Sequence, residues 1–247
     1  MKNNNKFRLD VWGAITLGTI ALYALFLLYP MAYLIRQSVL DPDTGSFTLA
    51  YFTKFFSKSY YFDTLINSFK VSITATVLSI AIGTPLAYLF TIFKIKGKPV
   101  LNILIVVASM SAPFIGAYSW ILLLGRSGII TTFFKNLGIA IPDIYGFGGI
   151  VLVMTLQLFP LVFLYAKGAL KNIDNSLIEA AENLGCSGIA CFFKVVVPLI
   201  MPTLLAAALL VFMRSFADFG TPMLIGEGYR TFPVVLYTEF ILSLIHI

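Results

Sequence analysis

The stretch "SLIEAAENLGCSGIACFFKVVVPLIMP", Ser176–Pro202, decides how the chain is read. It opens on polar helix formers with two carboxylates, Glu179 and Glu182, and closes on an apolar run interrupted by proline. Ser176 and Glu179 have the S-x-x-E spacing of a capping box, with Asp174 and Asn175 as competing starters. Strong helix formers follow in "LIEAAENL", and Gly185 stands where a left-handed residue ends a helix. A second short helix is predicted over 187–196, leading to Pro198 and a long apolar segment. The product is a helix-turn-helix elbow whose carboxylates and Lys194 face water or a partner.

The surroundings are those of a membrane protein. The 247 residues are 59% hydrophobic and 11% charged, with mean hydropathy +0.93. Soluble domains carry about 25% charged residues, so a water-soluble fold is excluded. The 23 Phe and 12 Tyr suit lipid-facing surfaces with aromatic belts, and Tyr118 and Trp120 read as belt or packing residues. A net charge of +6 lies beside apolar segments, as an orientation signal and not a nucleic-acid surface. Cys186 and Cys191 cannot complete a tetrahedral metal site, and they read as small apolar residues in a reduced compartment.

Charge-poor windows predict helical spans over 11–35, 71–93, 100–125, 144–166 and 195–213, with a sixth beginning near Phe232. The first window is too long for a signal peptide and no small-residue cleavage site follows it. Pro30, Pro85, Pro113, Pro160 and Pro202 fall in or near these windows, where neighbouring helices can satisfy the freed carbonyls. Beside Gly83, Gly116 and Ser111 such kinks either enclose a pathway or serve close helix packing. With the N-terminus inside, inner segments hold nine Lys and Arg against six outside, and the "KIKGK" hairpin at Lys94–Lys98 is wholly basic. That asymmetry puts the N-terminus and the elbow in the cytoplasm. The outer stretch "TKFFSKSYYFD" reads as an interfacial helix or a loop cap. Leu242–Ile247, "LSLIHI", matches the translation of a sequencing-adapter end, so an adapter-derived tail and a truncated sixth helix are expected, with His246 carrying no function.

Glu179-Ala180-Ala181, three residues, Gly185, nine residues, then Val195-x-Val197-Pro198 resembles the EAA signature of ABC importer permeases, with valines at its Ile and Leu positions. "SAPFIGAYSWILLLGRSGIIT" (Ser111–Thr131), "IYGFGGIVLVMTLQLFPLVFLYAKGAL" (Ile144–Leu170) and "SFADFGTPMLIG" (Ser215–Gly226) look like the ferric-iron branch, whose relatives handle polyamines, thiamine and phosphonates. The resemblance implies an all-α, multi-pass bundle of the type I importer kind, spanning 1–241, with a cytoplasmic coupling loop at 172–198. It implies an inner-membrane subunit, the first half of a two-half permease, fused or separate. Its implied partners are a cytoplasmic ABC ATPase dimer, an extracytoplasmic solute-binding protein and membrane lipid, with no nucleic acid. This chain binds no cofactor on that reading; ATP and Mg belong to the ATPase. Glu179, Ala180, Ala181, Gly185 and Pro198 are the implied coupling residues.

Gln157 and Thr155 lie mid-span and either line a pathway or bond neighbouring helices. Asp218 and Thr221 lie at the outer end of the fifth span, and the carboxylate is either a loop charge pairing with Arg214 or a solute contact. No G-x-x-x-x-G-K-[ST] loop, metal cluster or nucleophile–histidine pair is present, so the chain reads as a transport subunit and not an enzyme. The rival class is a channel or ion-coupled transporter, which also uses kinked helices but needs no coupling loop.

Overall fold

Inside lipid a lone segment satisfies its own amides and carbonyls only as a helix. Helices accordingly dominate the computed structural model, which describes residues 11–41, 44–93, 96–110, 112–139, 141–186 and 188–245. The chain forms two compact units, 1–62 and 63–247.

The first unit holds α1 (Val11–Val39), a turn closed by an isolated Leu40–Phe47 bridge, α2 (Ala50–Ser57) and the first residues of α3 (Ser59–Ile92). No residue of α1 is buried. Its winding changes at Ala24–Leu28, a π-helical turn in which the Tyr29 amide donates to the Ala24 carbonyl. Pro30 explains it: the ring has no N–H and crowds the carbonyl four residues back, and a wider turn relieves that clash. The stretch at Thr53 is helical, as α2, and so is no plain loop.

The second unit holds the rest of α3, then α4 (Lys98–Ser109), α5 (Pro113–Leu124), α6 (Ile129–Asn136), α7 (Phe147–Lys171), α8 (Asn175–Asn183), α9 (Gly188–Phe216), α10 (Gly220–Ile225) and α11 (Phe232–Ile245). Helix α7 is its centre: Ile150, Val153, Val162 and Phe163 are fully buried, and α4, α5, α9 and α10 all pack on it. Lipid tails are as apolar as these side chains, so close fit and dispersion hold such helices together more than escape from water. Gly83 of α3 shows the fit. A Cβ there would stand 2.8 Å from the Phe159 carbonyl oxygen and 2.8 Å from the Val162 Cβ. Gly83 therefore serves packing.

Five helical stretches among the described residues are long and apolar enough to cross a membrane: α1, α3, α5 continued into α6, α7 and α9. The chain is a multi-pass, all-α membrane protein. Three expected boundaries differ. The window 100–125 is two helices, because Pro113 forces Ala112 to extended backbone (ψ 141) and then starts α5. Helix α3 begins at Ser59, well before Val71, carrying Asp63 and Lys70 in its outer turns. The short helix expected over 187–196 is no separate element; from Gly188 it runs unbroken into the fifth span as α9, while Ser187 lies outside the described residues. A second π turn at Phe192–Val196, closed by the Val197 amide on the Phe192 carbonyl, precedes Pro198 just as the first precedes Pro30. Of the expected 242–247 tail, α11 includes the backbone to Ile245; His246 and Ile247 lie outside the described residues.

Candidate functional site

The elbow is built by three local devices. Asp174 starts α8: its Oδ1 accepts the Ser176 amide at 3.0 Å and its carbonyl accepts the Leu177 amide at 3.1 Å. The cap is thus Asp174, the competing starter, and the Ser176–Glu179 capping box does not open the helix. The backbone and side-chain hydrogen bonds from Ser176 hold the Asp174 carboxyl below its ordinary range. At the other end the Leu184 amide donates to Ala180 (3.2 Å) and the Cys186 amide to Ala181 (3.0 Å), the six-to-one closure of a Schellman motif. Gly185 sits at its centre with φ +85 and open space around it, so the glycine is required by conformation and not by crowding.

The second arm is α9 itself. Cys191, Phe192, Val196 and Ile200 are buried, anchoring α9 to the core, and the Phe192 ring lies 4.6 Å from that of Tyr88 on α3. Glu179, Ala180, Gly185 and Pro198 are exposed and Ala181 is half-buried. Large apolar side chains stand beside them in the open: Leu184 is 89% exposed, Ile189 78% and Phe193 63%. A small-residue face carrying Glu179 and fringed by exposed Leu, Ile and Phe is chemistry for seating against a protein.

A cleft of about 480 Å³ lies in the second unit, lined by Ser109, Phe114, Gln157, Arg214, Ala217 and Asp218 among others. Two pathway candidates, Gln157 and Asp218, thus share one space. Asp218 does not pair with Arg214: among the described residues no ion pair links them. Its Oδ1 instead accepts the amides of Gly220 (2.8 Å) and Thr221 (3.3 Å), and its Oδ2 accepts the Thr221 hydroxyl (2.7 Å). Burial pushes this carboxyl up while the Thr221 and Gly220 donors pull it down. Thr221, the third candidate, is fully buried beneath it. Helix α10 is held close to α5, where a Cβ on Gly220 would stand 3.1 Å from Pro113. Thr155 is buried in the core, its hydroxyl without a hydrogen-bond partner among the described residues.

Sequence reading missed one charged cluster. Arg126 Nε donates to Asp143 (3.0 Å), its Nη2 meets Glu227 (2.8 Å), and the guanidinium lies 4.7 Å from the centre of the Tyr145 ring. These residues come from three separate stretches and form no motif. The one available signal was the turn "GEGY", in which Glu227 takes φ +47.

Residues 46–244 match the family of binding-protein-dependent transport system inner membrane components. The chain is 30% identical to the spermidine/putrescine permease PotB of Haemophilus influenzae, over 97% of this chain and 85% of that protein. It is 28% identical to the ferric transport permease FbpB of Actinobacillus pleuropneumoniae, over 96% of this chain but 34% of that one. The chain thus spans about a third of the length of the ferric permeases it matches. A bacterial alginate ABC transporter, solved with its alginate-bound periplasmic protein, superposes at TM-score 0.71 with 17% identity, over 87% of this chain and 76% of the other. That likeness speaks for the fold alone.

Proposed function

The chain belongs to the family of binding-protein-dependent transport system inner membrane components, and from that premise we propose that it is a permease subunit of an ABC importer, moving ferric iron inward across the cytoplasmic membrane. The observation that carries this reading is the elbow: the E-A-A to Gly185 to Pro198 spacing folds into a capped helix, a left-handed turn and a second arm that is itself a core helix. A push on α8 then passes along α9 to the cleft at its far end, with no flexible joint after Gly188. Small Ala180 and Ala181 let an ATPase surface approach closely, and Glu179 offers that surface an anion. Two ATPase subunits would supply ATP and Mg, an extracytoplasmic binding protein would deliver solute, and a second permease half would complete the pathway. Coupling of this kind needs an element with two rigid positions, each favoured by one state of the partner. The same geometry argues for an N-terminus in the cytoplasm, since the elbow and the basic "KIKGK" segment then share the inner side.

Co-isolation from membranes tests the subunit reading. The chain should bring down an ABC ATPase, whereas solute flux through the purified polypeptide alone would favour a channel or secondary transporter. A thiol reporter at Leu184, 89% exposed on the elbow, with Cys186 and Cys191 replaced by alanine, should react in sealed cells only with membrane-permeant reagents; labelling by impermeant ones would overturn the orientation. For the solute, polyamine is the second reading, favoured by the 85% coverage of PotB. Uptake of radioactive iron against radioactive spermidine by cells carrying the whole system separates the two.

A further inference from the structure

We propose that the cleft on the α9–α10 turn recognises an oxyanion, free or wrapped around a metal ion, through the guanidinium of Arg214. The inference rests on the importer reading and concerns what that permease lets through.

Arg214 and Asp218 are the charged side chains of the cleft, and they stand in opposite conditions. Both carboxylate oxygens of Asp218 are engaged by Gly220 and Thr221, which use that charge to fix the turn. Arg214 is exposed and, among the described residues, makes no ion pair, hydrogen bond or ring contact. A cation in the last turn of a helix is favoured by the helix dipole, but that does not require it to line the same cavity as Gln157. An arginine within a membrane-crossing helix is tolerated where it faces a wet cavity, and such residues mark solute paths. Its planar fork of five donors suits carboxylate or phosphate oxygens, and with no acceptor among the described residues those donors remain available to a visitor. A polyamine would meet the reverse: a pre-engaged carboxylate and a repelling guanidinium. Among the described residues no three metal-ligating side chains gather, so a metal ion passing Arg214 would be accommodated best inside a shell of anionic oxygens.

The test reads the cleft's charge preference without assuming the solute. Ala217, exposed on the cleft wall, is changed to cysteine in the full chain within native membranes, and Ser109→Cys serves as the second position. Labelling of the peptide containing each new cysteine is followed by mass spectrometry with an anionic and a cationic methanethiosulfonate of similar size. The anionic reagent should react faster relative to its rate with a free thiol, and Arg214→Gln should lower that preference roughly fivefold or more, as expected on loss of a unit charge a few ångströms away. Arg214→Lys should keep most of it. In the whole importer, uptake of iron offered with citrate should show a raised KM in Arg214→Gln, with spermidine uptake undiminished. No anionic preference, or one unmoved by Arg214→Gln at both positions, overturns the inference and leaves ATPase co-isolation standing. Loss of co-isolation with the labelling pattern intact would overturn the importer reading alone. Uptake of both free citrate and iron citrate, each dependent on Arg214, would identify the oxyanion itself as cargo; uptake of the iron complex only would identify a metal shell.

Discussion

The Cys186 amide reaches back to the Ala181 carbonyl at 3.0 Å, around Gly185 at φ +85. This bond sets the angle at which α8 leaves α9, so it sets where Glu179 is presented. A side chain other than glycine costs about 1–2 kcal/mol in the left-handed region, more when β-branched. Gly185→Val should therefore abolish solute-stimulated ATP hydrolysis and uptake, while membrane insertion measured by fractionation stays normal. Gly185→Asn should retain much of both, because asparagine visits that region.

Glu179 is exposed and makes no ion pair among the described residues, so its removal leaves the fold intact. Glu179→Lys should leave thermal stability of the isolated chain unchanged and reduce co-isolation with the ATPase at least severalfold. Full transport by this variant would contradict the coupling role.

Asp174, and not Ser176, starts α8. Asp174→Ala should speed hydrogen exchange of the first-turn amides severalfold, and Ser176→Ala should leave it nearly unchanged. The pH sense follows from the lowered carboxyl: the cap is fully present above the ordinary aspartate pKa of 3.8 and is lost as pH falls through the lower folded value. Protection of the Ser176 amide, the exchange rate relative to its intrinsic value, should therefore be flat near neutrality and fall only on strong acidification.

The turn after α9 depends on Asp218. Removing a charged, half-buried acceptor of three hydrogen bonds costs about 1.5–3 kcal/mol. Asp218→Ala should lower the Tm of the detergent-solubilised chain by several degrees whatever solute is present, and Asp218→Asn by less, since its carbonyl can still accept the two amides.

Gly83→Val sets a branched side chain against the Phe159 carbonyl. Overpacking of this kind costs about 1–3 kcal/mol, and here the neighbour is backbone, which yields least. The Tm should fall clearly, in contrast to Arg126→Ala in the exposed charged cluster, which should barely move it.

The helices and the turn of the elbow were legible because both write themselves locally, as long apolar windows and a glycine stop; Pro198 reads as the start of a span but lies inside α9. Boundaries were legible only where the sequence changed character. The break before Pro113 hides inside a charge-free window, although the proline itself was the signal. The start of α3 hid behind Asp63 and Lys70, which are tolerated in outer turns. Arg214 and Asp218 have the spacing of a helical ion pair, yet α9 ends at Phe216, so the carboxylate turns to α10 and the pair never forms. The Arg126 cluster joins three separate stretches, and nothing in any one of them announces the others.

The wide turn at Phe192–Val196 also gives the second arm a tolerance that the rest of α9 lacks. It holds one surplus residue, so deleting one there would restore ordinary winding with Cys191 and Ile200 still facing the core, at the cost of the Pro198 ring clash that the wide turn relieves. The same deletion between Leu204 and Val211 would swing everything beyond it by about 100°. Length changes at the Gly188 end of α9 thus cost local strain and leave its direction unchanged, and those near the cleft misaim the helix.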